Sequence, residues 1–204
     1  MKIQIATALF VLAHAEPAFS REQTSLGNLR VSGDGCRPGS TSAALYDVDS
    51  DGLADEFQVI FSDFVAEQGP GILQGHRVSK CMITAQLGVS RRYQFSIQEV
   101  QFIGYADLPD RVQGVQESTY QFPSILGQRA FRTELTGPYS DEFLRTDTIV
   151  ANGSLWSKCG TGIPFFIRAE MRLTGNSVTP AFMAGDQVNG LLTHRYKLQW
   201  RPCQ

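Results

Sequence analysis

The 204-residue chain has little charge, few histidines and no long apolar run. Charged residues are 19% of it, and the formal net charge is −2. Nucleic acid and anionic membrane surfaces ordinarily call for a strong basic excess, so nothing global points to those partners. The only notable apolar stretch, near the N-terminus, is shorter than the roughly 20 residues of a membrane-spanning helix, and no lipid-anchor tail is expected. No C-x-x-C pair occurs, which argues against a structural zinc site. G-x-S-x-G, H-E-x-x-H and the phosphate-binding P-loop are all missing, so three common routes to catalysis have no signal. Nor is an apolar period of 3.6 residues sustained anywhere, which leaves helical folds without support.

What is present suits export. Lys2, the apolar stretch from Ile3 to Ala13 and the small-x-small site Ala13-His14-Ala15 read as a signal peptide over residues 1–15, with a buried first strand as the alternative. Hydrophobic residues make up 42%, enough to bury a core. Cys36, Cys81, Cys159 and Cys203 all follow the signal. An even set in an exported chain reads as two disulfides, and of three pairings we expect Cys36–Cys81 and Cys159–Cys203, two in the first half and two near the end. Each would close a loop of roughly 45 residues, worth about 4 kcal/mol in the chain-entropy model.

The stretch Leu191 to Cys203 organises the rest. Leu192, His194, Tyr196, Leu198 and Trp200 alternate with Thr193, Arg195, Lys197, Gln199 and Arg201, giving one apolar and one basic face in an extended chain. Phe165, Ile167, Ala169, Met171 and Leu173 repeat the pattern, with Phe166, Arg168, Glu170 and Arg172 opposite. Cys81, Ile83, Ala85 and Leu87 form a third alternating set, and Phe57, Val59 and Phe61 a fourth, hairpinned to 40–46. From Arg92 to Tyr105 the parity changes: Tyr93, Phe95 and Ile97 share one phase, Val100 and Phe102 the other. One extra residue near Gln98-Glu99, as a β-bulge or a change of sheet, accounts for this. Turn signals recur about every ten residues. The fold expected is all-β, an antiparallel, jelly-roll-like β-sandwich of about nine or ten strands with two disulfides. We expect an irregular N-terminal arm over residues 16–35 and a single domain over residues 36–204.

Few residues suggest chemistry. Asp47, Asp49, Asp51 and Asp55, with Gly52 at the sixth position, match most of a calcium loop, but Gln58 stands where an EF-hand has Glu and no helices flank it. The alternative is a solvated turn, since Asp and Gly favour turns without any metal. No cofactor is otherwise expected. His76 follows Asp63 and Glu67 and reads as either a His–carboxylate pair or an exposed loop residue; His194 reads as a core histidine. Arg168, Arg172, Arg195, Lys197 and Arg201 would form one basic stripe if their two strands paired, suited to an anionic polysaccharide or cell-wall polymer. Trp156 and Trp200 are either sugar platforms or, in their apolar settings, core. Asn152-Gly-Ser154 is an N-glycosylation acceptor where the host glycosylates.

Several segments occur together in order: Phe61-Ser-Asp63-Phe64-Val-Ala-Glu67-Gln-Gly69-Pro70-Gly71, Lys80-Cys81, Gly104-Tyr105-Ala106, Thr136-Gly137-Pro138-Tyr139, Trp156-Ser-Lys-Cys159-Gly160 and Leu198-Gln199-Trp200-Arg201-Pro202-Cys203. The ordered set, over about Gly35 to Cys203, resembles the domain-of-unknown-function 4360 family of small secreted proteins. The resemblance implies a secreted, four-cysteine, β-rich domain and supplies no activity or site residue. The long acidic turn departs from the short Pro-Asp-Gly-type turn of that family, so calcium would be a local elaboration. The function expected is non-catalytic binding to an extracellular or cell-surface target such as polysaccharide. The alternatives are a secreted polysaccharide hydrolase or lyase using Asp63 and Glu67, and a structural or assembly subunit.

Overall fold

Alternating apolar and polar side chains give extended segments one oily face each, and two such sheets can bury those faces only against one another. The computed structural model, which describes residues 23–89, 92–122, 128–148, 155–160, 162–184 and 192–203, has this form. Its strands are β1 (Ser25–Ser32), β2 (Thr41–Tyr46), β3 (Glu56–Phe61), β4 (Ala66–Gln68), β5 (Val78–Gly88), β6 (Tyr93–Leu108), β7 (Val112–Gln121), β8 (Arg129–Thr136), β9 (Tyr139–Thr148), β10 (Ile163–Gly175), β11 (Ala181–Ala184) and β12 (Leu192–Pro202). A single 3-10 turn, Gln74–Arg77, is the one helical element among the described residues, and none of their helices is long and apolar enough to cross a membrane. The proposed leader and Asn152 lie outside the described residues.

One sheet runs β1-β5-β10-β7-β8, and the other contains β2, β3, β12, β6, β11 and β4 with β9 on β6. All pairings are antiparallel. The chain crosses between sheets repeatedly, as in a jelly roll. Twelve strands exceed the expected nine or ten because two lanes of the second sheet are interrupted. β11 and β12 pair with successive parts of β6, and β4 and β3 pair in turn with β11 and β12. Counted as lanes, each sheet has five.

β12 is central, between β3 and β6. His194 and Tyr196 are fully buried, Leu198 nearly so, and Trp200 packs at the rim of the core; the side chain of Leu192 lies outside the description. Phe165, Ile167, Ala169, Met171 and Leu173 of β10 supply the opposing layer, with Phe57 meeting Phe165 edge-to-face at 5.2 Å. The parity change in β6 is a bulge. Glu99 pairs with Lys197 and Ile97 with Leu198, so Gln98 is the extra residue, and Phe95, Ile97, Val100 and Phe102 are all buried. β6 does not change sheets.

Both disulfides have the expected pairing, Cys36–Cys81 and Cys159–Cys203. The arm over residues 16–35 is not irregular throughout. Ser25–Ser32 forms the edge strand β1 on β5, because Leu26, Leu29 and Val31 find apolar surface to cover. A register shift between Gly27 and Arg30 accommodates Asn28 at φ 49° and hides the alternation.

Candidate functional site

The acidic turn joins β2 to β3, and the structure gathers three of its four aspartates. Carboxylate oxygens of Asp47, Asp49 and Asp55 lie within 4.8 Å of one another. Asp51 is not in the group; its Oδ1 accepts the Leu53 N–H at 2.7 Å. The grouped carboxylates also hold the loop, with Asp47 accepting from Gly52 N–H at 2.9 Å and Asp55 from Val48 N–H at 2.6 Å. Hard oxygen donors at this spacing fit calcium in kind, although three carboxylates fall short of the six to eight oxygens it takes.

Glu67 and His76 meet at 3.7 Å, with both side chains largely exposed. With Asp34, Arg37, Ser62 and Asp63 they line an open hollow of about 320 Å³. The pairing considered from the sequence is therefore real as a contact, in a wet setting. His194 is a core residue as expected. It lies against Phe61 and Phe102 at 4.9 and 4.8 Å, and its Nδ1 is 3.2 Å from the Tyr196 hydroxyl. Burial holds its imidazole well below the usual range, at about 3.

The single basic stripe does not form. It required β10 to pair with β12, and the two belong to different sheets. Arg195 lies 4.0 Å from Glu56, and with Lys197, Glu99, Gln101 and Val48 they line a groove of about 370 Å³ carrying both charges. Arg201 stands over the Trp156 ring at 4.0 Å, taking one face of that indole. Trp200 packs on Phe95 at 5.4 Å and donates to the Ala54 carbonyl at 2.7 Å. Both tryptophans thus have packing roles.

The place with the widest range of recognition chemistry is one the sequence did not single out. On the solvent face of the five-stranded sheet, a cleft of about 420 Å³ is lined by Met82, Thr119, Gln121, Gln128, Phe166 and Arg168, with Glu117 and Glu170 along one side. Strand register builds it: Phe166 is flanked by Thr84 and Gln121, Arg168 by Met82 and Thr119, and Glu170 by Lys80 and Glu117. Phe166 is half-buried, and Met82, at 42% exposure, is among the most exposed large apolar side chains described. The sequence signal was available. A phenylalanine in the wet row of a cleanly alternating strand has no core to fill, so it is open to a ligand.

A relative described as an uncharacterized secreted protein, from Arthroderma benhamiae (strain ATCC MYA-4681 / CBS 112371), is 27% identical over 175 residues, covering 84% of this chain and 68% of that one. Among solved structures, TmCBM61 in complex with beta-1,4-galactotriose overlays at 11% identity and TM-score 0.31, covering 86% of this chain and 88% of that one. The Broad Bean Stain Virus structure overlays at 10% identity and TM-score 0.26, covering 95% and 94%. Nothing about this chain rests on likeness at this level. Two disulfides, both extracellular in character, accord with the secreted relative, and the protein is secreted. Residues 22–203 match the family model for the domain of unknown function DUF4360, and the chain belongs to that family.

Proposed function

We propose that the protein is a non-catalytic binding domain that takes polysaccharide in the cleft on its five-stranded sheet. The observation that supports this reading is the composition of the cleft. Phe166 and Met82 offer an apolar platform, and Thr119, Gln121 and Gln128 border it with hydroxyl and amide groups. Sugars present the same pair of surfaces, C–H faces that pack on an aromatic ring and hydroxyls that exchange hydrogen bonds with planar amides. Phe166 and Met82 lie on the paired strands β10 and β5, so the sheet holds the apolar platform in place. Calcium at Asp47, Asp49 and Asp55 is a separate proposal; it would brace the β2–β3 turn and has no part in the cleft.

Affinity electrophoresis through gels containing soluble polysaccharides, with pulldown on insoluble glucan, chitin and cell-wall preparations, tests the reading. We expect retardation by at least one polymer. Phe166→Ala should weaken it about tenfold, the equivalent of the roughly 1.4 kcal/mol that losing an aromatic platform costs. Retardation that survives Phe166→Ala unchanged would move the site elsewhere. Release of reducing ends, abolished by Asp63→Asn, would replace binding with hydrolysis at the His76 hollow.

A further inference from the structure

We infer that this cleft selects acidic polysaccharide, with Arg168 as the residue that receives the acidic group; the inference rests on the cleft being a saccharide site. Its basis is the charge arrangement of the five-stranded face. The strands present five cations outward, Arg30, Lys80, Arg132, Arg168 and Arg172, against three carboxylates, Glu117, Glu134 and Glu170. This face therefore carries an excess of positive charge in a chain whose formal net charge is −2.

The carboxylates are already engaged. Glu170 lies 3.6 Å from Lys80 and 3.2 Å from Arg172. Arg132 bridges Glu117, at 3.3 Å, and Glu134. Those pairs also resolve the repulsion between Glu170 and Glu117, which stand directly opposite on neighbouring strands. Arg168 has no ion pair among the described residues. Its exposed side chain lines the cleft between Met82 and Thr119, one residue-pair along the strand from Phe166, about 7 Å.

A planar guanidinium beside an apolar platform is suited to an anionic substituent that is attached to a sugar ring and offers two acceptor oxygens side by side. Uronate carboxylates and sulfate esters meet that description, and both accept paired N–H donors from arginine. Lysine supplies the charge without the paired geometry. Because Arg168 is solvent-exposed, the attraction is open to screening by salt.

The test is affinity electrophoresis and calorimetry of the full secreted chain against polygalacturonate, alginate and a sulfated galactan. Methyl-esterified pectin and unsulfated galactan serve as neutral counterparts. We expect an acidic polymer to bind at least tenfold more tightly than its neutral counterpart. Arg168→Gln should remove most of that ratio, Arg168→Lys should retain part of it, and raising salt from 50 to 500 mM should diminish it. Arg145→Gln, an exposed change on the opposite sheet, controls for general charge and should leave binding intact. Equal binding of acidic and neutral polymers, lost in Phe166→Ala but kept in Arg168→Gln, would overturn the acid selectivity and leave the saccharide site standing. An equal loss in Arg145→Gln would overturn the assignment to Arg168. Binding to no polymer in either set would overturn the saccharide reading itself.

Discussion

His194 makes the stability of this protein depend on pH in a way that can be worked out from its surroundings. The imidazole is fully buried among Phe61, Phe64 and Phe102, its Nδ1 faces the Tyr196 hydroxyl, and its Nε2 has no hydrogen-bond partner among the described residues. Burial lowers its folded-state value to about 3, whereas an imidazole in an unfolded chain titrates near 6.5. The folded state therefore binds fewer protons. Its stability is fully present above about pH 6.5 and is lost as pH falls from there towards about 3. At roughly 1.36 kcal/mol per pH unit, the step from pH 7.5 to 4.5 costs about 2.7 kcal/mol from this group alone. For a domain stable by 5–15 kcal/mol, that is a substantial share. The assay is urea unfolding at both pH values for the wild type and for His194→Phe, whose difference cancels the common carboxylate contributions. The wild type should lose about 2–3 kcal/mol more than the variant. If His194→Phe does not fold, His194→Asn, which keeps a polar partner for Tyr196, takes its place. In the wild type the His194 ring resonances should stay unshifted down to pH 4.5. Equal losses in wild type and variant, or a midpoint near 6.5 for His194, would refute the reasoning.

The bulge in β6 gives a second expectation. Deleting Gln98, the extra residue, would leave Phe95, Ile97, Val100 and Phe102 on one face of a regular strand, so folded protein should be retained, whereas deleting Gln101 would put Val100 and Phe102 on opposite faces and soluble folded protein should be lost; circular dichroism melts distinguish the two. Calcium at the acidic turn should raise the melting temperature, by the equivalent of about 2.7 kcal/mol at a hundredfold excess over Kd. Asp49→Asn should abolish the rise, and Asp51→Asn should leave it, because Asp51 is outside the group of three and its Oδ1 already accepts the Leu53 N–H. A chelator that leaves the melting temperature unchanged removes the site.

Much of the architecture was legible because a strand exposes its pattern locally. Alternation along 194–200 and 165–173 assigned burial residue by residue, and a break in parity located the Gln98 bulge within one residue. The cysteines paired as expected because each half of the chain held two. Local pattern was less informative where the chain is bulged or brief. In β1 the shift at Asn28 hides the period, and β4 and β11 are too short to show one.

The site was less legible, and the reason is again physical. Sequence determines which face of a strand is wet, but sheet pairing decides which wet residues become neighbours. Arg168 and Arg195 sit on equally basic rows, yet assignment to different sheets separates them. Phe166, Met82 and Thr119 are far apart in the chain, and hydrogen-bonded register brings them to one cleft. Composition and alternation by themselves thus determined an exported, disulfide-closed sandwich with β12 at its centre. Only the tertiary structure decided where unpaired charge and exposed aromatic surface coincide, because that coincidence depends on contacts between strand residues some 45 to 90 positions apart, a distance no local period encodes.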